Sequence, residues 1–204
     1  MLRLGPIKDL FKIALSQNRT LGIVNSITQN IPIDSLGKPT PWFTYSAIHF
    51  LNSVDLDGKR VFEYGSGYST LYFRNRLADV TSVEDNQFWK DKIEGLSPSV
   101  NKSLILYREG NEYVNAPLSF DHTFDLIVVD GSFREECAKV AIRALSDNGM
   151  IILDNSDGYV TAAELLRKSG FLQIPFLGPG PMSAVLWETS LFIKAENWSN
   201  STIE

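Results

Sequence analysis

One cysteine and two histidines in 204 residues leave little room for soft-metal or disulfide chemistry. Cys137 alone excludes an internal disulfide framework and any cysteine-rich zinc site, and His49 with His122 cannot build a histidine-dominated centre. Any metal must therefore sit on oxygen ligands. Basic charge is scarce as well: 19 Lys and Arg against 24 Asp and Glu give a net charge of −5. That balance argues against nucleic acid as a partner, because a broad grip on phosphates needs a basic stripe. No apolar run approaches the ~20 residues of a membrane span. The start, MLRLGPIKDLFKIAL, lacks an uninterrupted apolar stretch followed by a small-residue cleavage site, so a cytoplasmic setting is expected and the Asn-x-Ser/Thr triplets at Asn18, Asn101, Asn197 and Asn200 carry no meaning. Repeats and low-complexity tracts are absent, and 44% apolar residues with 9 Pro and 14 Gly describe one globular domain. A small molecule or a protein is the expected partner, and a homodimer stays open.

What is present begins with an amphipathic start. Ile7, Leu10, Phe11, Ala14 and Leu15 share one helical face opposite Lys8, Asp9 and Lys12, and the polar face is not basic enough for a membrane-surface helix. Residues 20–40 are punctuated by Asn, Gly and Pro, and WFTYSAIHFL offers a further short helix. Residues 1–57 thus read as a helical extension or cap on a main domain of residues 58–204. In that domain the runs 60–64, 79–84, 103–109, 124–130 and 149–154 alternate with helix-like stretches 68–77, 86–95, 132–146 and 159–169. The alternation predicts an α/β fold, a Rossmann-like, doubly wound and mostly parallel sheet. Beyond residue 170 two β-prone runs follow with no helix between them, which predicts a C-terminal antiparallel hairpin strand. The segment GPGPMSAVLWE between them reads as a long substrate-selecting loop, and Asp147–Gly149 as a tight turn before the fifth strand.

The most informative segment is VFEYGSGYSTLYF. Gly65 and Gly67 allow a sharp turn and close backbone approach to a ligand, with Ser66 between them and a helix N-terminus following. Glu63 precedes this turn; a carboxylate there repels a pyrophosphate but suits a cationic ligand such as a sulfonium bearing an ammonium group. Thr70 stands where a dinucleotide turn carries its third glycine. About twenty residues on, Glu84 ends the second strand, where an acid can accept both hydroxyls of a ribose, and Asp85 competes for that task. A turn without a ligand and a solvated strand-end acid are the plainer alternatives. A second constellation is Asp130 after the fourth strand with Asp154 and Asn155 after the fifth. Neighbouring parallel strand ends open onto one crevice, so these oxygens suit a Mg²⁺-type site, a metal-free substrate site using Asp130, or simple strand-end capping.

The order of EYGSGYST, a strand ending in Glu84, FDLIVVDG and GMIILDN resembles the class I S-adenosylmethionine-dependent methyltransferases over roughly residues 58–195. The resemblance implies S-adenosylmethionine as cofactor, its methionine moiety on Glu63, Gly65 and Gly67, its ribose on Glu84 or Asp85, and its adenine near Glu109 or Gly110, with Ser66 and Asp130 also among the cofactor-binding residues. Ser69 departs from the family's third glycine. The trio Asp130, Asp154 and Asn155 resembles the cation site of catechol and caffeoyl-coenzyme A O-methyltransferases, which implies Mg²⁺ at those three residues. Where those enzymes carry a lysine, this chain has Phe133 and then Arg134, which is too basic to take a proton; Asp130, His122, His49 or Lys139 remain as bases. Trp42 and Tyr45 are the aromatic residues expected at the pocket, among Tyr68, Phe43, Phe133, Tyr159 and Trp187. Transfer of a methyl group to an oxygen of a small-molecule acceptor is the expected activity. A non-catalytic binding protein on the same fold, or a nicotinamide-dependent oxidoreductase, are the alternatives; Thr70, the final hairpin and the lack of a Tyr-x-x-x-Lys pair tell against the latter.

Overall fold

β-branched and aromatic residues fill the strands, and both faces of each central strand are buried, as a parallel sheet between two helical layers requires. A computed structural model describes Lys8, Lys12, Ser16, residues 21–96 and residues 104–196. Within them the strands are β1 (Arg60–Tyr64), β2 (Asp79–Glu84), β3 (Leu104–Tyr107), β4 (Phe124–Val129), β5 (Leu145–Asp154), β6 (Phe171–Gly180) and β7 (Ser183–Lys194). They form one seven-stranded sheet in the order β3-β2-β1-β4-β5-β7-β6. β1 to β5 pair in parallel, whereas β7 runs antiparallel to both β5 and β6. This is the expected Rossmann-like, doubly wound architecture with a reversed hairpin at its edge. The expected face of Ile7, Leu10, Phe11, Ala14 and Leu15 lies outside the described residues.

Helices with both ends among the described residues are α1 (Ile23–Gln29), α2 (Tyr45–Ser53), α3 (Tyr68–Asn75), α4 (Gln87–Gly95), α5 (Gly110–Val114), α6 (Arg134–Ala144) and α7 (Val160–Lys168), with a 3₁₀ turn at Ala116–Ser119. On one face Phe43, Ala47, Ile48 and Leu51 of the α2 region join Tyr72 and Phe73 of α3 against Val61, Leu126, Val128 and Ile152. On the other, Cys137, Ala138 and Ala141 of α6 and Ala162 and Leu166 of α7 cover Phe62, Tyr64, Ile127 and Val129. Each fully buried side chain of this size contributes about 1.5–3 kcal/mol. α2 starts where the Thr44 hydroxyl accepts from Ala47 N, and the same hydroxyl donates to the Phe176 carbonyl at 3.0 Å, fixing the N-terminal segment to the hairpin.

Two expectations are corrected. The segment GPGPMSAVLWE is not a loop: β6 and β7 run on through it and only Pro181 and Met182 form the turn between them. β6 is an edge strand, and there Pro175 and Pro179 cost no ladder bond on the open side. Asp147–Gly149 falls inside β5 rather than before it, at a break in register where Phe124 pairs with Leu145 but Leu126 pairs with Met150.

Candidate functional site

The strand order reverses between β1 and β4, and this is where an open α/β sheet forms a crevice at its carboxyl ends. Gly65 turns out of β1 with φ +87, and a side chain there would meet the Gly131 Cα at 3.1 Å. A side chain on Gly131 would in turn meet Tyr113 Oη at 2.0 Å and Gly65 N at 2.8 Å. The two turns therefore touch backbone to backbone, and only glycine fits at either position. Gly131 was not singled out from the sequence, although a glycine directly after Asp130 is the available signal.

Glu63 is 1% exposed and its Oε2 accepts from the hydroxyls of Thr70 and Ser82, the latter at 2.8 Å. Thr70 also accepts from Gly67 N at 2.9 Å, so the residue that departs from the dinucleotide pattern ties the turn to the acid. Burial pushes the Glu63 carboxyl up to about 7, against the hydrogen bonds from Ser69, Thr70 and Ser82. Glu84 is buried too. Its Oε2 accepts from Ser66 N at 2.8 Å and Ser66 Oγ at 3.0 Å, and its Oε1 from Asn86 N at 3.0 Å. Trp89, which sequence reasoning passed over, donates from its indole to the Ser66 carbonyl at 2.5 Å and carries Lys92 Nζ 4.3 Å from its ring.

Three adjoining cavities open over these strand ends. One of about 340 Å³ is lined by Glu63, Gly65 to Ser69, Trp89, Lys92 and Asp130, with Asn30, Ile31, Pro32, Trp42 and Met182 as its far wall. A second of about 350 Å³ shares Gly65, Ser66, Trp89 and Asp130 with it and adds Glu84, Asp85, Phe88, Tyr113 and Gly131. A third of about 530 Å³ is lined by Trp42, Asp130, Arg134, Asp154, Asn155, Ser183, Val185 and Trp187. Asp130 thus borders all three, and Trp42 stands between the first and the third. The wall from Asn30 to Pro32 was not foreseen.

Asp130, Asp154 and Asn155 are brought together, but around a guanidinium. Arg134 Nη2 donates to Asp130 Oδ1 and the Asp130 carbonyl, both at 2.9 Å; Nη1 donates to the Asp154 carbonyl at 2.6 Å and Asn155 Oδ1 at 3.0 Å; Nε donates to the Gly131 carbonyl at 3.0 Å. The carboxyl of Asp154 is turned to the hairpin, its Oδ1 accepting from Thr189 Oγ1 at 2.5 Å and Trp187 Nε1 at 3.2 Å. Among the described residues no group of three or more His, Cys, Asp or Glu is placed to hold a metal ion. The expected Mg²⁺ ligand set does not fit a metal here, because the Arg134 cation lies among these residues and one side-chain oxygen of each, Oδ1 of Asp130, Asp154 and Asn155, already accepts from Arg134, Thr189 or Trp187. Phe133 at φ 52 and Asn155 at φ 53 hold left-handed backbone at the two strand ends, the kind of local strain that clusters at sites. Burial and the Asp154 carboxyl push Asp130 up, and Arg134 opposes them; burial likewise raises Asp154.

Other expected residues lie elsewhere. His122 precedes β4 while Asp130 follows it, which separates them by the strand's length, and the imidazole packs between Phe120 and Phe124 beside Asp121. It is not at the cavities. Glu109 accepts from Tyr107 Oη at 2.5 Å, and neither it nor Gly110 is among the residues bordering the three cavities. Tyr45 and Phe43 are core rather than pocket residues. Tyr159 lies with its ring centroid 4.7 Å from the Arg134 guanidinium, and Phe133 packs near Tyr113. His49 and Lys139 are exposed on helices and border none of the three cavities.

No protein-family model matches the chain, and no curated protein matches it. Among solved structures, the chain is similar to the O-methyltransferase TomG from Streptomyces achromogenes, solved with SAM, at 15% identity over 73% of this chain and 78% of that one, TM-score 0.58. It is similar to an O-methyltransferase from Bacillus cereus, solved with SAH, at 15% identity over 67% and 74%, TM-score 0.57. A methyltransferase from Pyrococcus furiosus is similar at 15% identity over 73% and 81%, TM-score 0.54. At these identities the likeness establishes the Rossmann-like methyltransferase fold.

Proposed function

We propose that this chain is an S-adenosylmethionine-dependent methyltransferase acting on a hydroxyl oxygen of a small-molecule acceptor. The observation that carries the reading is the pair of cavities divided by Trp42 and Asp130, one over the acidic Glu63–Gly67 turn and one walled by Trp42 and Trp187. The first matches the chemistry of a sulfonium amino acid: a buried acid faces the cation, a close glycine turn admits backbone, and Lys92 faces a carboxylate. Glu84 and Asp85 border the adjoining cavity, where a ribose would meet them, and Asp85 accepts no hydrogen bond among the described residues. The adenine extends past the rim of that cavity toward Glu109 and Gly110. Residues 1–57 act as a cap on the domain of residues 58–204, supplying Asn30 to Pro32 and Trp42 as walls.

When bound, S-adenosylmethionine supplies an electrophilic methyl group. The protein's task is then alignment of two reactants, which is worth roughly 7–11 kcal/mol of a barrier. Trp42 and Trp187 hold the acceptor's apolar face, and Asp130 takes the proton of the acceptor hydroxyl. Asp130 Oδ1 is engaged by Arg134 while Oδ2 has no donor among the described residues, and its raised pKa brings it toward the range a general base needs. Incubation with methyl-labelled S-adenosylmethionine and a panel of phenols and sugars tests this. Label is expected in a small-molecule product, and Asp130→Asn is expected to lower transfer far more than it lowers cofactor affinity; label transfer unaffected by that variant refutes Asp130 as base.

A further inference from the structure

Every N–H of the Arg134 guanidinium has an oxygen acceptor. Two acceptors are the side-chain oxygens Asp130 Oδ1 and Asn155 Oδ1, and three are the carbonyls of Asp130, Gly131 and Asp154. A guanidinium has five such hydrogens in a fixed planar fork, so none is left over for a ligand. The side chain is 11% exposed, and the Tyr159 ring lies 4.7 Å from its carbon. A ring of hard oxygens at two neighbouring strand ends is also the donor set that suits a divalent ion. One cage cannot hold both.

We propose that Arg134 is the built-in cation of this cleft: its guanidinium fills the oxygen cage at the ends of β4 and β5, locks Asp130 and Asn155 in place, and leaves the protein without a divalent-metal requirement there. Arg134 is a positioning residue, since it acts through Asp130: it borders the third cavity, but all five of its donors are spent on protein oxygens. A salt bridge between residues four apart at the start of α6 would be a minor surface feature alone; the convergence of three strand-end carbonyls and an amide oxygen on the same group sets this one apart. The inference shares its cleft with the proposed methyl transfer, yet it is read by metal binding and stands or falls apart from that activity.

The test is a Mn²⁺ titration of the whole chain followed by electron paramagnetic resonance and calorimetry. The wild-type protein is expected to show no saturable site, with EDTA leaving its thermal midpoint unchanged. Arg134→Ser opens the cage and is expected to gain one Mn²⁺ site with a dissociation constant of about 10⁻³ M or tighter, the weak end for oxygen-ligand sites; Arg134→Lys, which keeps a cation there, is expected to gain none. A stoichiometric wild-type site that Asp130→Asn removes overturns the inference, as does a folded Arg134→Ser protein that binds no Mn²⁺. Should Arg134→Ser not fold, Asn155→Asp decides: with the guanidinium in place the added carboxylate creates no Mn²⁺ site if Arg134 fills the cage, and a new site contradicts it.

Discussion

Replacing Glu63 by glutamine separates an acid that waits for a cation from one that only braces a turn. Burial raises this carboxyl from 4.5 to about 7, and at ~1.36 kcal/mol per pKa unit that corresponds to about 3 kcal/mol against the ionised form. The folded-state pKa lies above the unfolded one, so the group's contribution to stability is fully present below pH 4.5 and is lost as pH rises through about 7. Glu63→Gln, which cannot ionise, is therefore expected to raise the thermal midpoint at pH 8 relative to wild type and not at pH 5. Ligand binding should show the opposite face of the same cost. If only the ionised carboxyl accepts a cationic ligand, a group with pKa about 7 is roughly 9% ionised at pH 6 and 91% at pH 8, so S-adenosylmethionine binds about tenfold more weakly at the lower pH. Calorimetry at both pH values, in buffers of different ionisation enthalpy, also reads the proton released. A flat wild-type profile, or a tenfold pH effect persisting in Glu63→Gln, would refute this assignment of Glu63.

Other residues give sharper structural readouts. Gly131→Ala forces a methyl carbon to within 2.0 Å of Tyr113 Oη and 2.8 Å of Gly65 N; a loss of about 1–3 kcal/mol by chemical denaturation is expected from such overpacking. Thr70→Val removes the hydroxyl shared by Glu63 and Gly67 N, with an expected loss of about 2 kcal/mol at pH 8, since hydrogen bonds to charged groups are worth 1.5–3; an unchanged denaturation midpoint would contradict it. Asp85→Ala should weaken cofactor affinity about tenfold or more with the thermal midpoint unmoved, whereas Glu84→Ala should lower both, because Ser66 and Asn86 lose their acceptor. Equal affinities in both variants and wild type would remove the ribose from these acids.

The strands were legible because hydrophobic runs of four to six residues between turn signals have few other uses in an α/β chain. β1 and β2 carry the expected bounds of 60–64 and 79–84. The hairpin tip was misread for a physical reason: Pro and Gly punctuate central strands, but an edge strand with one open side tolerates them, and Pro175 and Pro179 sit on such an edge. At the site, Glu63, Gly65, Gly67, Glu84 and Asp130 were legible because local chain order places each at a strand's carboxyl end. Residues that reach the crevice from outside the strand-turn-helix register were not: Trp89 arrives from the first turn of the helix after β2, and Asn30 to Pro32 from a segment with no periodic signal. Arg134 was judged as a poor base on its own chemistry; that its five donors meet five strand-end oxygens is a property of two strand ends meeting, which one strand's sequence does not carry. His122 shows the converse, since nearness to Asp130 in sequence becomes distance when a whole strand intervenes.

Calorimetric titration of the purified protein with S-adenosylhomocysteine, with NADH as control and each repeated in Mg²⁺ and in EDTA, tests the central claim most directly. One-site micromolar binding of S-adenosylhomocysteine, indifferent to Mg²⁺ and EDTA, with no heat from NADH, is the expected result. A folded sample that binds NADH instead, or neither ligand, would contradict it and make the Glu63–Gly67 turn a structural device.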